Sequence, residues 1–563
     1  MAGSFARTWL AAPTLVVGLL VVQPAAAEAA DAKGVSPARP AKASVDASSP
    51  FARLPEAVPG PETATRVPAN DLKIGKAVNP RLRAALLDIL SDPCLENAEV
   101  SFLATSLKSG EVLAEHNADG LINPASNAKL VTAAAALHYL KPEYRFRTEY
   151  YTRGRIKDGT LWGDLIVKGY GDPTVVTERL QRVANELYLY GIERITGSVI
   201  VDDTFFDNVL EAKGWELEEA PDRAYAAPVS ALSFNYNAIA VYLRPSERDQ
   251  PAIVRLDPPV EYVALQSDVG TKRYTRRLKI MSKGDKAGTL VQVTGDLGYR
   301  EQPRRIYRRV YDPPRYFASA LISFLSQRGV RVKHRIQSGT VPPGARLVLV
   351  DRSPPLTEII SDLNHYSNNF IAETLIKAIS AEASEGERPG TFEHGLKLAR
   401  AFLNEKIRVD EGDYVFGNGS GLNDVNRLSA RQIVQLLASM RRDFEIGTEF
   451  MSSLAIAGTQ GTIGFRMKET AAQRRLRAKT GTLRGVSALS GYVVDPRGEV
   501  IAFSLLTQNY NGAVSSVWEV QNRVGEAFAS DGESFAPDGD DVVASGDALL
   551  DDPSAEPAKG GAP

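Results

Sequence analysis

Apolar residues recur with helical spacing in several separate parts of the chain. Residues 81–90, 370–379 and 430–440 carry apolar positions at intervals of three and four, which predicts amphipathic helices. The alanine-rich run 128–137 has high helix propensity, and Pro124 just before it is a helix start signal. These segments predict helices on both sides of a long central region.

Shorter apolar runs predict strands. Residues 100–107 and 111–114 have strand character and are joined by a turn at Ser109-Gly110. Residues 476–482 form another strand candidate, and 488–506 reads as a hairpin with Asp495-Pro496-Arg497-Gly498 as its turn. Helices and strands of this kind predict a mixed α/β (α+β) fold.

The central region has a different pattern. From about 146 to 349, short β runs alternate with turns, which predicts one or more inserted β-rich domains. Two segments inside it, 180–202 and 316–339, each read as helix, glycine turn and strand, which suggests a weak internal repeat. We expect this insert to divide a catalytic domain into two parts, 73–145 and 350–530.

Length and charge refine this division. A chain of 563 residues is too long for one ordinary domain, and 44% hydrophobic with 24% charged residues is typical of globular proteins. Residues 531–563 carry nine Asp or Glu residues and one Lys, which predicts a disordered acidic tail. The remainder is only mildly basic, so no nucleic acid partner is indicated.

The N-terminus resembles an export signal. Arg7, the apolar run 10–22 and the small residues 25–27 predict a signal peptide over 1–27, followed by a flexible Ala/Pro/Ser-rich linker over 28–72. We therefore expect a soluble periplasmic protein with no transmembrane anchor after cleavage. The single cysteine, Cys94, excludes an internal disulfide framework and is interpreted as structural.

A serine and a lysine lie together at the start of the alanine-rich helix. Ser126 and Lys129 are three residues apart, so a helix would place them on one face. A helix N-terminus favours negative charge on a reacting serine oxygen. Such a pair is common by chance, so further residues must decide whether it is catalytic.

Two further motifs follow in order. Ser367-Asn368-Asn369 offers a hydroxyl and an amide at a turn that leads into a helix, and Ser233-Phe234-Asn235 is a decoy inside the insert. Lys479-Thr480-Gly481-Thr482 offers a cation and hydroxyls on a strand, where glycine permits close approach of a substrate backbone. The order Ser-x-x-Lys, Ser-x-Asn, Lys-Thr-Gly is typical of penicillin-interacting serine enzymes.

With these motifs the chain resembles the class C low-molecular-mass penicillin-binding proteins, the serine-type D-alanyl-D-alanine carboxypeptidase/endopeptidase family. The resemblance covers about residues 75–528 and includes the large insert between the first two motifs. It implies a β-lactamase/transpeptidase-like domain, an antiparallel sheet with flanking helices, interrupted by that insert. Four further segments carry it: Gly169-Tyr170-Gly171-Asp172-Pro173-Thr174, Val201-Asp202-Asp203-Thr204-Phe205-Phe206, Gly419-Ser420-Gly421-Leu422 and Ala457-Gly458-Thr459-Gln460-Gly461-Thr462.

The resemblance also implies roles for individual residues. Ser126 would attack the peptide between two D-alanines, Lys129 would be the base, and Ser367 would relay a proton. To act as a base, Lys129 must lose its proton near pH ~7 instead of ~10.4, which costs roughly 5 kcal/mol. We expect water exclusion and the second cation, Lys479, to provide this shift. The catalytic set is Ser126, Lys129, Ser367, Asn369 and Lys479; the substrate-binding set is Thr480, Gly481, Thr482, Asp202, Phe206, Thr462 and Arg484. The backbone N–H groups of Ser126 and Thr482 would form the oxyanion hole.

The chain departs from the family near the substrate side chain. It has Asn423-Asp424 where members of the family have an arginine, and Arg484 where they have a glutamine. Asp202 would suit the ammonium group of a diaminopimelate or lysine side chain. Arg484 or Arg427 would replace the lost arginine, whereas Asp424 would repel a carboxylate if it pointed inward; the alternative is that Asp424 only caps a surface turn.

Other functions are weighed against this one. The five histidines form no zinc-protease or nucleophile-elbow motif, so neither a metal nor another cofactor is implied. A β-lactamase would need a deacylating base that the sequence does not offer. A sensor or scaffold that is acylated but never turns over would keep the same motifs. A transpeptidase would keep them too and would join peptidoglycan strands. The expected partners are peptidoglycan stem peptides, with β-lactams as inhibitors, and homo-oligomer formation is left open.

Overall fold

The three-dimensional structure is a computed structural model that describes residues 72–535, except residue 77, residues 285–287 and residue 334. The predicted signal peptide (1–27), nearly all of the linker (28–72) and most of the tail (531–563) lie outside the described residues. The described chain continues past the predicted tail boundary at 531, where Glu533–Phe535 forms a short 3₁₀ helix. The Phe535 ring lies 5.8 Å from the Arg523 guanidinium, so the packed chain extends slightly further than expected.

The described residues form the following α-helices: α1 (Pro80–Leu90), α2 (Ala128–Leu140), α3 (Thr177–Leu189), α4 (Pro313–Gln327), α5 (Leu356–Tyr366), α6 (Asn369–Glu382), α7 (Phe392–Ile407), α8 (Ala430–Arg442), α9 (Gly447–Ser452) and α10 (Val514–Ser530). None of these helices combines the length and the apolar character that crossing a bilayer requires. The predicted helices 81–90, 370–379 and 430–440 are confirmed as α1, α6 and α8.

The strands in the described residues are β1 (Lys73–Ile74), β2 (Glu99–Ser106), β3 (Val112–His116), β4 (Arg147–Lys157), β5 (Thr160–Gly169), β6 (Arg194–Ile195), β7 (Val199–Asp202), β8 (Ala238–Arg244), β9 (Ile253–Asp257), β10 (Val263–Lys272), β11 (Arg276–Gly284), β12 (Thr289–Gly298), β13 (Arg304–Arg309), β14 (Arg331–Val332), β15 (Ile336–Ser338), β16 (Arg346–Arg352), β17 (Val415–Phe416), β18 (Asn426–Arg427), β19 (Ala455–Ile456), β20 (Leu476–Leu483), β21 (Val486–Val494) and β22 (Val500–Gln508).

A seven-stranded antiparallel sheet carries the site. Its order is β1-β3-β2-β22-β21-β20-β19, so the chain leaves it after β3 and returns at β19. Side chains alternate between the two faces of a strand. In β22, Ile501, Phe503 and Leu505 pack into a core with α1 and α10. Ala502 and Leu506 pack into a second core with α2, α6 and α8. An antiparallel sheet with helices on both faces is the predicted architecture.

Residues between α2 and α5 build further sheets around a core of their own. One sheet has the order β14-β6-β5-β4-β16 with β7 and β15 attached, and two three-stranded sheets have the orders β10-β12-β11 and β13-β8-β9. The suspected repeat has the same element order in both copies: α3 precedes β6 and β7, and α4 precedes β14 and β15. Equivalent strands of the copies pair in parallel, β14 with β6 and β15 with β7. Strand β16 continues to Arg352, slightly past the predicted insert boundary at 349.

Candidate active site

Ser126 lies in a tight turn at the entrance to α2. The α-helix begins at Ala128, later than predicted, and Ser126 occupies a preceding 3₁₀ turn, Ala125–Asn127. Ala125 has a left-handed φ of 45°, an unfavourable conformation for alanine. It is held because the Asn123 side-chain oxygen accepts the Ala125 N–H at 2.9 Å. This turn lifts Ser126 out of the helix while keeping it near the helix N-terminus.

Lys129 is fully buried behind Ser126. Its Nζ lies 2.9 Å from Ser126 Oγ, 2.7 Å from Asn369 Oδ1 and 2.5 Å from the Ser420 carbonyl oxygen. Burial lowers the pKa of Lys129 to about 7, and the charge of Glu373 opposes that shift. A neutral amine at this distance can accept the Ser126 proton. Water exclusion is therefore the main cause of the shift. The charge that acts on this amine is that of Glu373, which the sequence analysis missed, and not that of Lys479, which was expected to contribute.

Ser367 and Lys479 form a second pair. Ser367 ends α5 in a left-handed conformation, with φ 56°, and its Oγ accepts a hydrogen bond from Lys479 Nζ at 2.8 Å. Lys479 also donates to the Thr480 carbonyl at 2.7 Å. Burial, followed by the charge of Lys129, lowers the pKa of Lys479 well below its usual value. Burial thus disfavours the charged form of both amines.

Strand β20 lies directly against the nucleophile turn. A Cβ at Gly481 would lie 2.8 Å from the Pro124 carbonyl oxygen and 3.1 Å from the Ser126 nitrogen, so only glycine fits without a shift. Thr480 Oγ1 donates to Thr462 Oγ1 at 2.8 Å, which places the two predicted hydroxyls side by side. The first residue after this glycine, Thr482, lines the cleft.

These elements surround one cleft of about 780 Å³. Of the predicted site residues, its lining includes Ser126, Ser367, Asn369, Thr482 and Arg484. The decoy motif is elsewhere: Ser233 is buried, and its hydroxyl donates to the Ser230 carbonyl at 2.8 Å. The structure thus brings together segments that lie far apart in the sequence.

Asp202 and Phe206 are not part of this cleft, and their prediction as substrate contacts is wrong. Asp202 is 1% exposed, and its carboxylate accepts hydrogen bonds from the N–H and hydroxyl of Thr204 and from the N–H of Val341. Phe206 is 3% exposed and packs close to Gly171. Asp202 stabilises the insert, and Phe206 packs into the core that contains α2 and α6, so neither side chain has a free surface for a ligand.

The insert contributes different residues to the cleft. Leu217, Glu218, Glu219 and Tyr225 line it. Tyr225 donates its hydroxyl to Glu218 at 2.8 Å, and its carbonyl accepts the Asn369 side-chain amide at 3.1 Å. The sequence does contain a signal for these residues, two adjacent acids followed by an aromatic residue. The sequence analysis assigned that role to the acid and aromatic residue Asp202 and Phe206 instead.

The two departures from the family both reach the cleft. Arg484 is 91% exposed and forms an ion pair with Glu219 at 3.3 Å. Asp424 binds Arg427 through both of its oxygens, at 2.5 and 3.0 Å, and accepts the Asn123 amide at 2.9 Å. The hydrogen bond and charge of Arg427 lower the pKa of Asp424. Asp424 therefore lines the cleft, but it does so as one partner of an ion pair with Arg427. This outcome lies between an unpaired acid that points inward and an acid that only caps a surface turn.

Within the described part of the chain, no cluster of three or more His, Cys, Asp or Glu residues could hold a metal ion. His365 interacts with Ser361 and Leu454, and His334 lies outside the described residues. Cys94 is buried, and burial raises the pKa of its thiol to about 12.

Comparison with known proteins agrees with this geometry. Residues 82–524 match the D-Ala-D-Ala carboxypeptidase 3 (S13) family. A D-alanyl-D-alanine carboxypeptidase of an Actinomadura species is 33% identical over 451 residues, covering 77% of this chain and 81% of that protein. The D-alanyl-D-alanine carboxypeptidase DacB of Haemophilus influenzae is 25% identical over 424 residues, covering 74% and 86%. The crystal structure of penicillin-binding protein 4 from Haemophilus influenzae superposes with a TM-score of 0.67 at 22% identity, covering 78% and 98%.

The fold and the matching sequence define a serine-type D-Ala-D-Ala carboxypeptidase. The chain belongs to the D-Ala-D-Ala carboxypeptidase 3 (S13) family, within the class C low-molecular-mass penicillin-binding proteins. The predicted family, fold class and enzyme class are confirmed.

Proposed function

We propose that this protein is an exported peptidoglycan DD-peptidase that removes the terminal D-alanine of stem peptides through an acyl-enzyme on Ser126. The observation that carries the proposal is the contact between Ser126 Oγ and the buried Lys129 amine at 2.9 Å. Burial holds the pKa of that amine at about 7, so a large fraction is neutral at physiological pH. Few lysines in a folded protein have this property, and it supports a role as general base.

The reaction follows from these contacts. Lys129 takes the Ser126 hydroxyl proton as the oxygen attacks the carbonyl carbon between the two D-alanines. The C–N bond breaks, and Lys129 gives up this proton, which the Ser367 hydroxyl, hydrogen-bonded to Lys479 at 2.8 Å, passes on to the leaving amine of D-alanine. Water then attacks the ester carbon while Lys129, neutral again, takes a proton from the water. As the ester bond breaks, Lys129 returns that proton to the Ser126 oxygen. In this proposal the backbone N–H groups of Ser126 and Thr482 would form the oxyanion hole.

The terminal carboxylate of the substrate would bind beside Lys479, Thr480 and Thr482. Burial disfavours a charge on Lys479 in the free protein. A bound carboxylate would offset that effect, because an opposite charge nearby raises the pKa of an amine. Substrates with a free C-terminal carboxylate would therefore bind more favourably than the corresponding amides.

We propose that the cleft also accepts cross-links between D-alanine and diaminopimelate, which makes the protein an endopeptidase. The support is the acidic wall formed by Glu218 and Glu219, which suits the ammonium end of the diaminopimelate side chain. In this scheme Arg484, paired with Glu219, takes the side-chain carboxylate in place of the arginine that the family usually provides. Glu218, Glu219 and Arg484 are thus the proposed contacts to the substrate side chain, in place of Asp202 and Phe206.

The domain division and the cellular location belong to the same proposal. We assign catalysis to residues 73–145 and 350–530, with 146–349 as the insert that supplies the acidic wall. The signal-like features of residues 1–27 support export to the periplasm, where the stem peptides are. A β-lactam mimics the D-Ala-D-Ala end and would acylate Ser126.

Product analysis tests the function. Purified protein is incubated with uncross-linked and cross-linked muropeptides, and released D-alanine and monomers are measured. We expect D-alanine from the first substrate and monomers from the second. Labelling by fluorescent penicillin without release of either product would instead indicate a sensor or scaffold, and joined strands would indicate a transpeptidase.

A further inference from the structure

Helix α6 presents three polar side chains at intervals of four residues. Asn369, Glu373 and Lys377 therefore follow one stripe of the helix. Asn369 binds Lys129, and Lys377 binds the backbone of the insert at Asp207 and Val209. Glu373, between them, is 0% exposed and takes no part in the mechanism described so far.

Glu373 holds the backbone segment that contains Gly419 and Ser420. Its Oε1 accepts the Ser420 N–H at 2.8 Å, and its Oε2 accepts the Gly419 N–H at 3.3 Å. The same segment is fixed from α2, where Thr132 donates its hydroxyl to the Gly419 carbonyl at 2.7 Å. The carboxylate thus anchors a turn that has few other ways to satisfy its buried amides.

That turn is in direct contact with the proposed base. The Ser420 carbonyl accepts a hydrogen bond from Lys129 Nζ at 2.5 Å, so the backbone of one residue, Ser420, joins Glu373 to the amine. We propose that Glu373 is a positioning residue that fixes Lys129 through the Gly419–Ser420 backbone and places a negative charge near its amine. The inference rests on the proposed role of Lys129 as base.

The charges around Lys129 support this role. The charged groups that face it are Glu373 from α6 and Lys479 from β20, while Ser126 and Asn369 are neutral. Burial raises the pKa of Glu373, and hydrogen bonds from the Ser420 side chain and from the Ser420 and Gly419 N–H groups, together with the charge of Lys129, oppose that shift. Since both carboxylate oxygens accept N–H groups, the geometry favours the anion. An anion here limits how far burial lowers the affinity of Lys129 for a proton, and a base works best near the operating pH.

The substitution Glu373→Gln removes the charge at nearly constant shape. We measure the rate of acylation by a chromogenic β-lactam against pH, and the ε-¹³C shift of Lys129 against pH, assigned by its loss in Lys129→Met. Both titrations should move to lower pH by about one unit, because the loss of a nearby anion disfavours the ammonium form. Glu382→Gln is the matched control: Glu382 is on the same helix, accepts the Tyr144 hydroxyl at 2.6 Å, and should move neither titration.

Glu373→Asp separates charge from reach. It keeps the anion but shortens the side chain, so the acid limb should stay in place while the plateau rate falls about tenfold or more, as expected for a misplaced catalytic group. An unchanged plateau would overturn the positioning role, and this variant carries the test alone if Glu373→Gln does not fold. Unmoved titrations in Glu373→Gln would overturn the electrostatic role. A moved ¹³C titration with an unmoved rate profile would support Glu373 acting on Lys129 and would instead refute Lys129 as the base.

Discussion

Replacing Lys479 by methionine should separate substrates by their terminal charge. Methionine has a similar length, so the change removes the amine while keeping most of the packing. A carboxylate about 4 Å from the ammonium group, at an effective dielectric constant of about 20, is worth roughly 4 kcal/mol. We therefore expect kcat/KM for a peptide ending in free D-alanine to fall by about 10³-fold. A peptide ending in D-alaninamide should lose far less, since it never benefits from that charge.

The assay compares D-alanine and D-alaninamide release by wild type and variant at the same pH. Lys377→Met is the matched control, because Lys377 is equally buried but contacts Asp207 at 2.6 Å and not the cleft. That control should lose stability without changing the ratio of the two activities. Equal losses on the acid and the amide in Lys479→Met would refute the carboxylate role. They would indicate instead that Lys479 acts mainly by holding Ser367.

Four further predictions can be tested together. Ser126→Ala should abolish penicillin labelling and lower D-alanine release by at least about 10⁴-fold. Labelling that persists in the folded variant would disprove Ser126 as the nucleophile. The wild-type acylation rate should rise with pH and reach half its maximum near pH 7, because burial holds the pKa of Lys129 at about 7 and only the neutral amine accepts a proton; a midpoint above 9 would contradict this. Gly481→Ala should lower kcat/KM by roughly 10²-fold, measured beside the thermal midpoint, because its Cβ would press on the Ser126 nitrogen at 3.1 Å; wild-type activity would contradict the close approach. Arg484→Ala should reduce turnover of peptides with free diaminopimelate by no more than about fivefold and spare amidated peptides, since its pair with Glu219 is exposed; a strong preference for the free acid that survives the substitution would show that the carboxylate is read elsewhere.

The local part of the site could be predicted from the sequence. Ser126 and Lys129 are three residues apart, and the 3₁₀ turn that leads into α2 keeps their side chains within reach, as the helical spacing predicted. The strand periodicity around 476–506 likewise defined β20, β21 and β22 with small errors at their ends. Short-range spacing and backbone propensity decide such features, and they act whatever the rest of the chain does.

The substrate-facing part could not be predicted in the same way. Asp202 ends strand β7, where the register decides which face a side chain takes, and here it faces the interior. The loop that does reach the cleft is placed by distant contacts. Arg308 on β13 forms an ion pair with Asp222 at 3.1 Å, and the Arg309 N–H donates to the Asp222 carbonyl at 3.0 Å. The spacing of residues within 217–225 could not predict where this loop lies, because its position depends on how β13 packs in the insert.

Glu373 was missed because its contact with Ser420 joins two separate segments of the chain. The buried Lys129 that these residues support also affects the stability of the protein. In the unfolded chain Lys129 would titrate near 10.5, and in the folded protein burial lowers its pKa to about 7. Between these values the unfolded chain binds the additional proton, so stability rises with pH through this window and is lowest below about pH 7. The difference corresponds to about 5 kcal/mol. A buried lysine without an acceptor for each N–H would cost still more, and the Ser420 carbonyl, held in place by Glu373, is one of those acceptors. The burial that would allow Lys129 to act as a base thus also destabilises the folded protein, and the packing of α2 and α6 must offset that cost.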